Sequence, residues 1–179
     1  RPAVGGAEQY ITDLSEGFVL RTECSLLENT RPVDYHTWRS VLPAYEFLDG
    51  VHVHRFASLP RTRQVWRVLS YGLYHYWRTG SAWYEPLIFY GNGPACPAMF
   101  VEIVRRARGH DLVHINNLHY SHALVAYAAA RLRGLPVLIT PHVHAEQPET
   151  HDVGYMRRIL RGCDAIIADT GAEKQYHMK

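Results

Sequence analysis

The chain has 179 residues, 47% of them hydrophobic and 20% charged, with a formal charge of +2. That is enough chain for one domain with its own core, and the charge is too small to argue for nucleic acid or a charged membrane surface as partner. No run of 18 apolar residues is present, so no segment reads as a spanning helix.

No signal-peptide pattern opens the sequence, and Cys24, Cys96 and Cys163 form no CxxC pair or even-numbered framework. A reducing, cytoplasmic setting is therefore the expectation. Basic clusters at Arg61–Arg67 and Arg157–Arg161 read as solvated helix faces.

In chain order, residues 5–18 follow a glycine pair and place Ala7, Tyr10, Ile11, Leu14 and Phe18 at helical spacing. Residues 22–28 form a strand candidate. Residues 50–60 read as a strand with Val51, Val53 and Phe56 on one face. Residues 62–77 are aromatic-rich and helical in pattern. Residues 80–97 carry Gly and Pro punctuation and read as a loop. A helix over 97–109 ends at Gly109 with basic residues in its last turn.

From there the pattern alternates. Strand 111–115, helix 121–134, strand 135–140, helix 153–162 and strand 164–170 succeed one another through short connections, and a last helix begins near Gly171. Ser121 and Asp152 are the expected N-caps. Uninterrupted apolar strands between helices predict a doubly wound α/β parallel sheet, Rossmann-like. In such sheets ligands bind at the carboxyl ends of the strands. No strand pattern precedes the Gly5–Gly6 turn, and the sequence stops inside its last helix. The expectation is a single Rossmann-like domain over 1–179, truncated at both ends and lacking its first strand.

Three motifs fall where a ligand would bind. Gly5 and Gly6 sit before a helix, where free amides and close backbone approach suit a phosphate or a sugar hydroxyl; the spacing is neither GxGxxG nor a Walker loop. A plain tight turn is the alternative. The strand 111–115 runs into His114, Asn116, Asn117, His119 and Tyr120, groups that hydrogen-bond hydroxyl-rich ligands or simply cap and shape a loop. The strand 135–140 runs into "PHVH", placing His142 on the same crevice. A neutral histidine there can orient a hydroxyl or accept its proton. His142, His144 and His151 also allow a zinc-type ligand set, although HxH pairs in loops arise readily in a chain with 12 histidines.

Four segments in order resemble retaining family 4 glycosyltransferases of the GT-B fold. "AVGGAEQYITDLSEG" resembles their GG-x-E helix start, and "GVHVHRF" resembles an early strand. "HDLVHINNLH…ALVAYAAARLRGLPVLITPHVH" and "LRGCDAIIADTGAEK" resemble their later strand–helix blocks. The resemblance implies the N-terminal, acceptor-side half of a two-domain enzyme with a nucleotide-sugar cleft between the halves. The C-terminal donor-binding domain would then lie outside these residues.

On that resemblance, Gly5 and Gly6 approach the donor diphosphate and acceptor. His142 is the catalytic candidate near the transferred sugar, with His144 in support, and Asn117 and His119 fall where acceptor contacts are made. Glu8 matches an acid common in that helix. No metal and no cofactor are expected, because GT-B enzymes hold the leaving diphosphate with helix dipoles and basic side chains. The implied partners are a nucleotide-sugar donor and an unidentified acceptor, with peripheral membrane association open for the full-length enzyme. The aromatic-rich stretch 66–97 matches no family motif, and packing over the sheet is the expectation for it. Two other classes stay open: a non-catalytic α/β domain binding an anion or sugar, and a metal-dependent hydrolase built on His142, His144 and His151.

Overall fold

The computed structural model describes residues 10, 12–15, 25–28, 42–59, 61–94, 96–143 and 151–178. Within the predicted first helix, residues 10 and 12–15 are helical; the glycine pair, Glu8 and His144 lie outside the described residues.

Among the described residues, the strands form two three-stranded ladders. The first contains β1 (Ser25–Glu28), β2 (Tyr45–Leu48) and β3 (Val51–Arg55) in the order β1-β3-β2. β1 runs parallel to β3, while β2 pairs with β3 antiparallel, Leu48 opposite Val51. The linking residues Asp49 and Gly50 both have positive φ, 49° and 86°. That is the two-residue turn whose twist matches a hairpin, and Asp-Gly is a favoured pair for it. β2 is not expected from the sequence, and it makes this ladder mixed.

The aromatic stretch folds as a helical hairpin. α1 (Arg63–Thr79) starts at Thr62, whose hydroxyl accepts the Val65 N–H, and stops at Gly80 with φ 66°. After one 3-10 turn comes α2 (Glu85–Asn92). The loop expectation for 80–97 is therefore corrected. Pro86 sits in the first turn of α2, where its missing N–H is harmless. Gly91 lies within the helix because α1 presses against it: a Cβ there would stand 2.5 Å from the Leu69 Cβ. Val65, Leu69, Tyr76 and Ile88 face inward, whereas Trp66, Tyr71, Tyr74, Trp77 and Trp83 stay exposed.

α3 (Pro97–Arg106) continues into a 3-10 turn ending at Gly109. Its Glu102 takes both Arg105 and Arg106, and their hydrogen bonds hold the carboxyl down to about 2. Arg106 Nη1 reaches His54 Nε2 at 3.0 Å, tying this helix to β3.

The second ladder is parallel, as predicted. It contains β4 (Val113–Asn116), β5 (Val137–Thr140) and β6 (Ala165–Ile166), with Ile115 beside Ile139 and Ile139 beside Ile166. β6 is shorter than the predicted strand 164–170. α4 (Ser121–Leu132) joins β4 to β5, α5 (Gly154–Gly162) joins β5 to β6, and α6 (Gly171–His177) comes last. Among the described residues no strand pairs one ladder with the other.

The core lies along this second ladder. Ile115, Val137 and Ile139 meet Ala123, Ala126, Ala129 and Ala130 of α4, and Val153, Met156 and Ile159 close it from α5. Small alanines let α4 sit close to the strands. Each fully buried Ile contributes roughly 1.5–3 kcal/mol.

Two caps differ from expectation. Ser121 comes after the N-cap Tyr120, and its hydroxyl donates to the Phe89 carbonyl of α2 instead. Val153, not Asp152, is the N-cap of α5, while Asp152 pairs with Arg157. In the basic clusters Arg63, Arg67, Arg158 and Arg161 are exposed as expected, while Arg61 and Arg157 are half-buried. Arg157 also donates to the Tyr76 hydroxyl, Arg158 pairs with buried Glu85, and half-buried Arg61 lies over the Trp66 ring and donates to the Gly91 carbonyl. Gly154 leaves room in this seam for Glu85: a Cβ would stand 2.0 Å from its carboxylate, which would have to shift.

Candidate functional site

Three parallel strands end together, and the residues just past their ends build the candidate site. β4 ends at Asn116. The next residue, Asn117, takes φ 75°, a conformation that Asn tolerates better than most residues. Its N–H donates to the Thr140 carbonyl at 2.8 Å, and the Leu118 N–H to the Pro141 carbonyl at 3.0 Å. The exits of β4 and β5 thus stay laced together beyond the strands.

β5 ends at Thr140, and the fully buried Pro141 leads to His142 at φ 51°. A histidine with positive φ is uncommon and persists where the surroundings fix it. Here both ring nitrogens are engaged. Nε2 lies 2.7 Å from Asn116 Oδ1, and Nδ1 lies 2.5 Å from Asp169 Oδ2. The Tyr10 ring stands nearly perpendicular to the imidazole, with centroids 5.7 Å apart. His142, just past β5, is thereby placed between side chains from the ends of the two flanking strands, β4 and β6.

The third strand contributes through a cap. Thr170 is the N-cap of α6, its hydroxyl accepting the Glu173 N–H at 3.1 Å. The Glu173 carboxylate then reaches back. Oε1 accepts the Val143 N–H and Oε2 the Asp169 N–H, both at 2.8 Å. This buried carboxylate fixes the residue after His142 and the residue that faces His142 in one grip. His177 Nε2 stands 3.8 Å from it, and burial lowers the pKa of that imidazole against the raising effect of Glu173.

Two further histidines support the floor. His114 Nε2 meets the Thr140 hydroxyl at 2.8 Å; burial, then the neighbouring His142, lowers its pKa. His122 Nε2 lies 2.8 Å from the Asn116 carbonyl, a contact that requires an Nε2–H, and burial disfavours its charged form. Both are therefore neutral props rather than cations.

The protonation logic at His142 is constrained. Asp169 accepts only, so it takes the Nδ1–H. In the neutral ring Nε2 then carries the lone pair, and the Asn116 amide, whose Oδ1 faces Nε2 at 2.7 Å, must rotate by about 180° to present its NH2. In the imidazolium both nitrogens donate, and the Asn116 oxygen accepts. Either way, one ring nitrogen is fixed by the acid and the other faces a group that can exchange for a ligand hydroxyl.

The expected site residues do not all meet. His142 is central. Asn117 lies in the adjoining loop, but its Oδ1 accepts the His119 N–H at 2.9 Å, so it shapes the turn. His119 packs against Tyr120 and His151, ring centroids 5.2 and 5.8 Å away. His142 and His151 thus have different neighbours, and no group of three His, Cys, Asp or Glu side chains among the described residues could hold a metal. Gly5, Gly6 and His144 lie outside the described residues.

Asp169 and Glu173 are not among the site residues expected from sequence. The signal is present as Thr170-x-x-Glu173, a capping-box spacing behind a strand end. Asn116 is the last residue of β4, at the head of a polar run, and sequence alone gives no reason to prefer it to Asn117.

The family of glycosyl transferase 4-like domains matches residues 5–177, and the chain belongs to that family. No curated protein and no solved structure matches it.

Proposed function

We propose that this glycosyl transferase 4-like chain supplies the acceptor-side wall of a GT-B enzyme that moves a sugar from a nucleotide-sugar donor to an acceptor hydroxyl. In that reaction the bond from the anomeric carbon to the diphosphate breaks. A bond from that carbon to the acceptor oxygen forms, and the hydroxyl proton leaves with the diphosphate.

The observation that carries the reading is His142, which follows β5 and is held by side chains from the ends of the two flanking strands, where open parallel sheets bind ligands. His142 orients a hydroxyl of the transferred sugar, accepting its hydrogen at Nε2, after Asn116 gives way. The glycine pair contributes backbone amides to the diphosphate. Basic residues on a second half bind the nucleotide, as the family resemblance implies.

Transfer assays test this directly. The full-length polypeptide carrying this chain is offered UDP-, GDP- and ADP-sugars. Turnover with one of them, lost in His142→Ala, is the expected result; no transfer from any donor class would sink the proposal.

The outer face of α1 adds a partner to this reading. Trp66, Tyr71, Tyr74 and Trp77 are exposed there beside Arg63, Arg67 and Arg78, and α1 contains no acidic residue. Aromatic and cationic side chains together suit the interface of an anionic membrane. Sedimentation with phosphatidylglycerol vesicles tests it, and retention of full binding by Trp66→Ser/Trp77→Ser would count against this face.

A further inference from the structure

We infer that Asp169 is the positioning residue of the site: its carboxylate holds the His142 imidazole in one orientation and one tautomer, with the proton on Nδ1. The inference rests on His142 acting as proposed above, but the tautomer is a property of this chain and is read without any transfer reaction.

Geometry makes the assignment. Asp169 Oδ2 lies 2.5 Å from Nδ1, and the His142 side chain is only 16% exposed. A charge-assisted hydrogen bond of that length, shielded from most of the solvent, outweighs the neutral Asn116 contact on the other nitrogen. Asp169 is the carboxylate paired with the ring, and the groups beside it have other roles. The Tyr10 ring stands nearly perpendicular to the imidazole, and His114 is a neighbour through the Thr140 hydroxyl. Glu173 directs its oxygens to the Val143 and Asp169 amides.

The placement of Asp169 is itself built. Its backbone N–H is bound by Glu173, and the adjacent Thr170 caps α6, so the side chain projects from a fixed point toward the ring. An acid behind a histidine, on the nitrogen away from the reacting group, fixes which nitrogen meets the ligand. Here that nitrogen is Nε2. Without the acid, the ring has no reason to keep its proton on Nδ1, and the Nε2–H form presents a donor where a lone pair belongs.

The experiment uses the chain labelled with 15N-histidine. Long-range 1H–15N correlation spectra are recorded well above the ordinary histidine pKa of about 6.5. The His142 signals are assigned by their loss in His142→Gln. Wild type is expected to show one neutral tautomer, protonated on Nδ1. Asp169→Ala is expected to show a substantial Nε2–H population. The loop keeps its anchor in that variant, because Glu173 binds the backbone of residue 169 and not its side chain. Asp169→Asn, which keeps the volume and removes the charge, is expected to show the same change and covers the case in which the alanine variant folds poorly.

An Nε2–H tautomer in wild type, or an unchanged Nδ1–H tautomer in both variants, would overturn the inference. In the full-length polypeptide the same variants are expected to lower kcat by about 10- to 100-fold while KM moves by less than about twofold. A shifted tautomer with unchanged kcat would also overturn it. A shifted tautomer together with no transfer by wild type would refute the transfer reading, and would leave Asp169 as the group that sets the ring's proton.

Discussion

Replacing Glu173 tests how the site is held together. Its side chain is 4% exposed and accepts two backbone N–H groups, from Val143 and Asp169, at 2.8 Å each. Hydrogen bonds to a charged acceptor contribute about 1.5–3 kcal/mol each, and a buried amide left unpaired incurs its desolvation cost. Glu173→Ala removes both at once, and water entering the vacated space offsets part of the loss.

A destabilisation of about 3–5 kcal/mol is expected for Glu173→Ala. At about 2–4 °C per kcal/mol for a domain of this size, Tm drops by roughly 6–20 °C. Glu173→Gln keeps one acceptor oxygen but turns an NH2 toward the second amide, so its cost should be about half or somewhat more. Urea unfolding monitored by the fluorescence of the four tryptophans measures both. Alanine and glutamine variants within about 0.5 kcal/mol of wild type would refute the bridge. So would glutamine matching the wild type while alanine falls, since one amide would then contribute nothing.

Packing and titration set further outcomes. His54, His114, His122 and His177 have pKa values below the ordinary 6.5, with burial the first cause in each. Below pH 6.5 the unfolded chain therefore binds protons that the folded chain refuses, so stability falls as pH drops toward the folded-state values and levels off beneath them. Urea titrations between pH 8 and 5 should show that slope, and His122→Gln should flatten it; stability independent of pH in this range would contradict neutral buried histidines. Gly91→Ala places a Cβ 2.5 Å from Leu69 Cβ and 2.8 Å from its Cα, so a loss of about 1–3 kcal/mol is expected. Gly109→Ala meets nothing within 4 Å and should leave thermal stability unchanged or slightly raised; equal effects at the two positions would contradict close packing of α1 on α2.

The half of the fold with plain periodicity is legible from sequence. Buried strands such as "VLIT" and the alanine-rich helix before it have one stable arrangement, parallel strands covered by helices, and the structure has it at β4–β6. Misreadings fall where tertiary contact overrides a local rule. Glycine and proline in residues 80–97 mark a loop by propensity, yet Pro86 stands where a helix tolerates it and Gly91 serves a helix crossing. β2 escapes a sequence reading because "YEFL" has too few residues to show alternation, although the Asp49–Gly50 pair behind it announces the hairpin.

The site is legible only where position along a strand fixes a role. His142 can be picked because it lies just past the end of a buried strand. Asp169 cannot, because its meeting with His142 depends on the lateral order β4-β5-β6 and on the grip of Glu173 across two loops. Asn117 looks as suitable as Asn116, and only the positive φ at Asn117 shows which of the two faces the imidazole and which shapes the turn.

The central claim is that His142 sits in a sugar-transfer site. The most direct measurement is the turnover of the full-length polypeptide with its preferred nucleotide sugar, comparing wild type with His142→Ala at equal folded stability. A fall in kcat of about 100-fold or more is predicted for loss of the group that orients the hydroxyl. Turnover within about threefold of wild type, with the protein folded and the donor bound, would contradict the account.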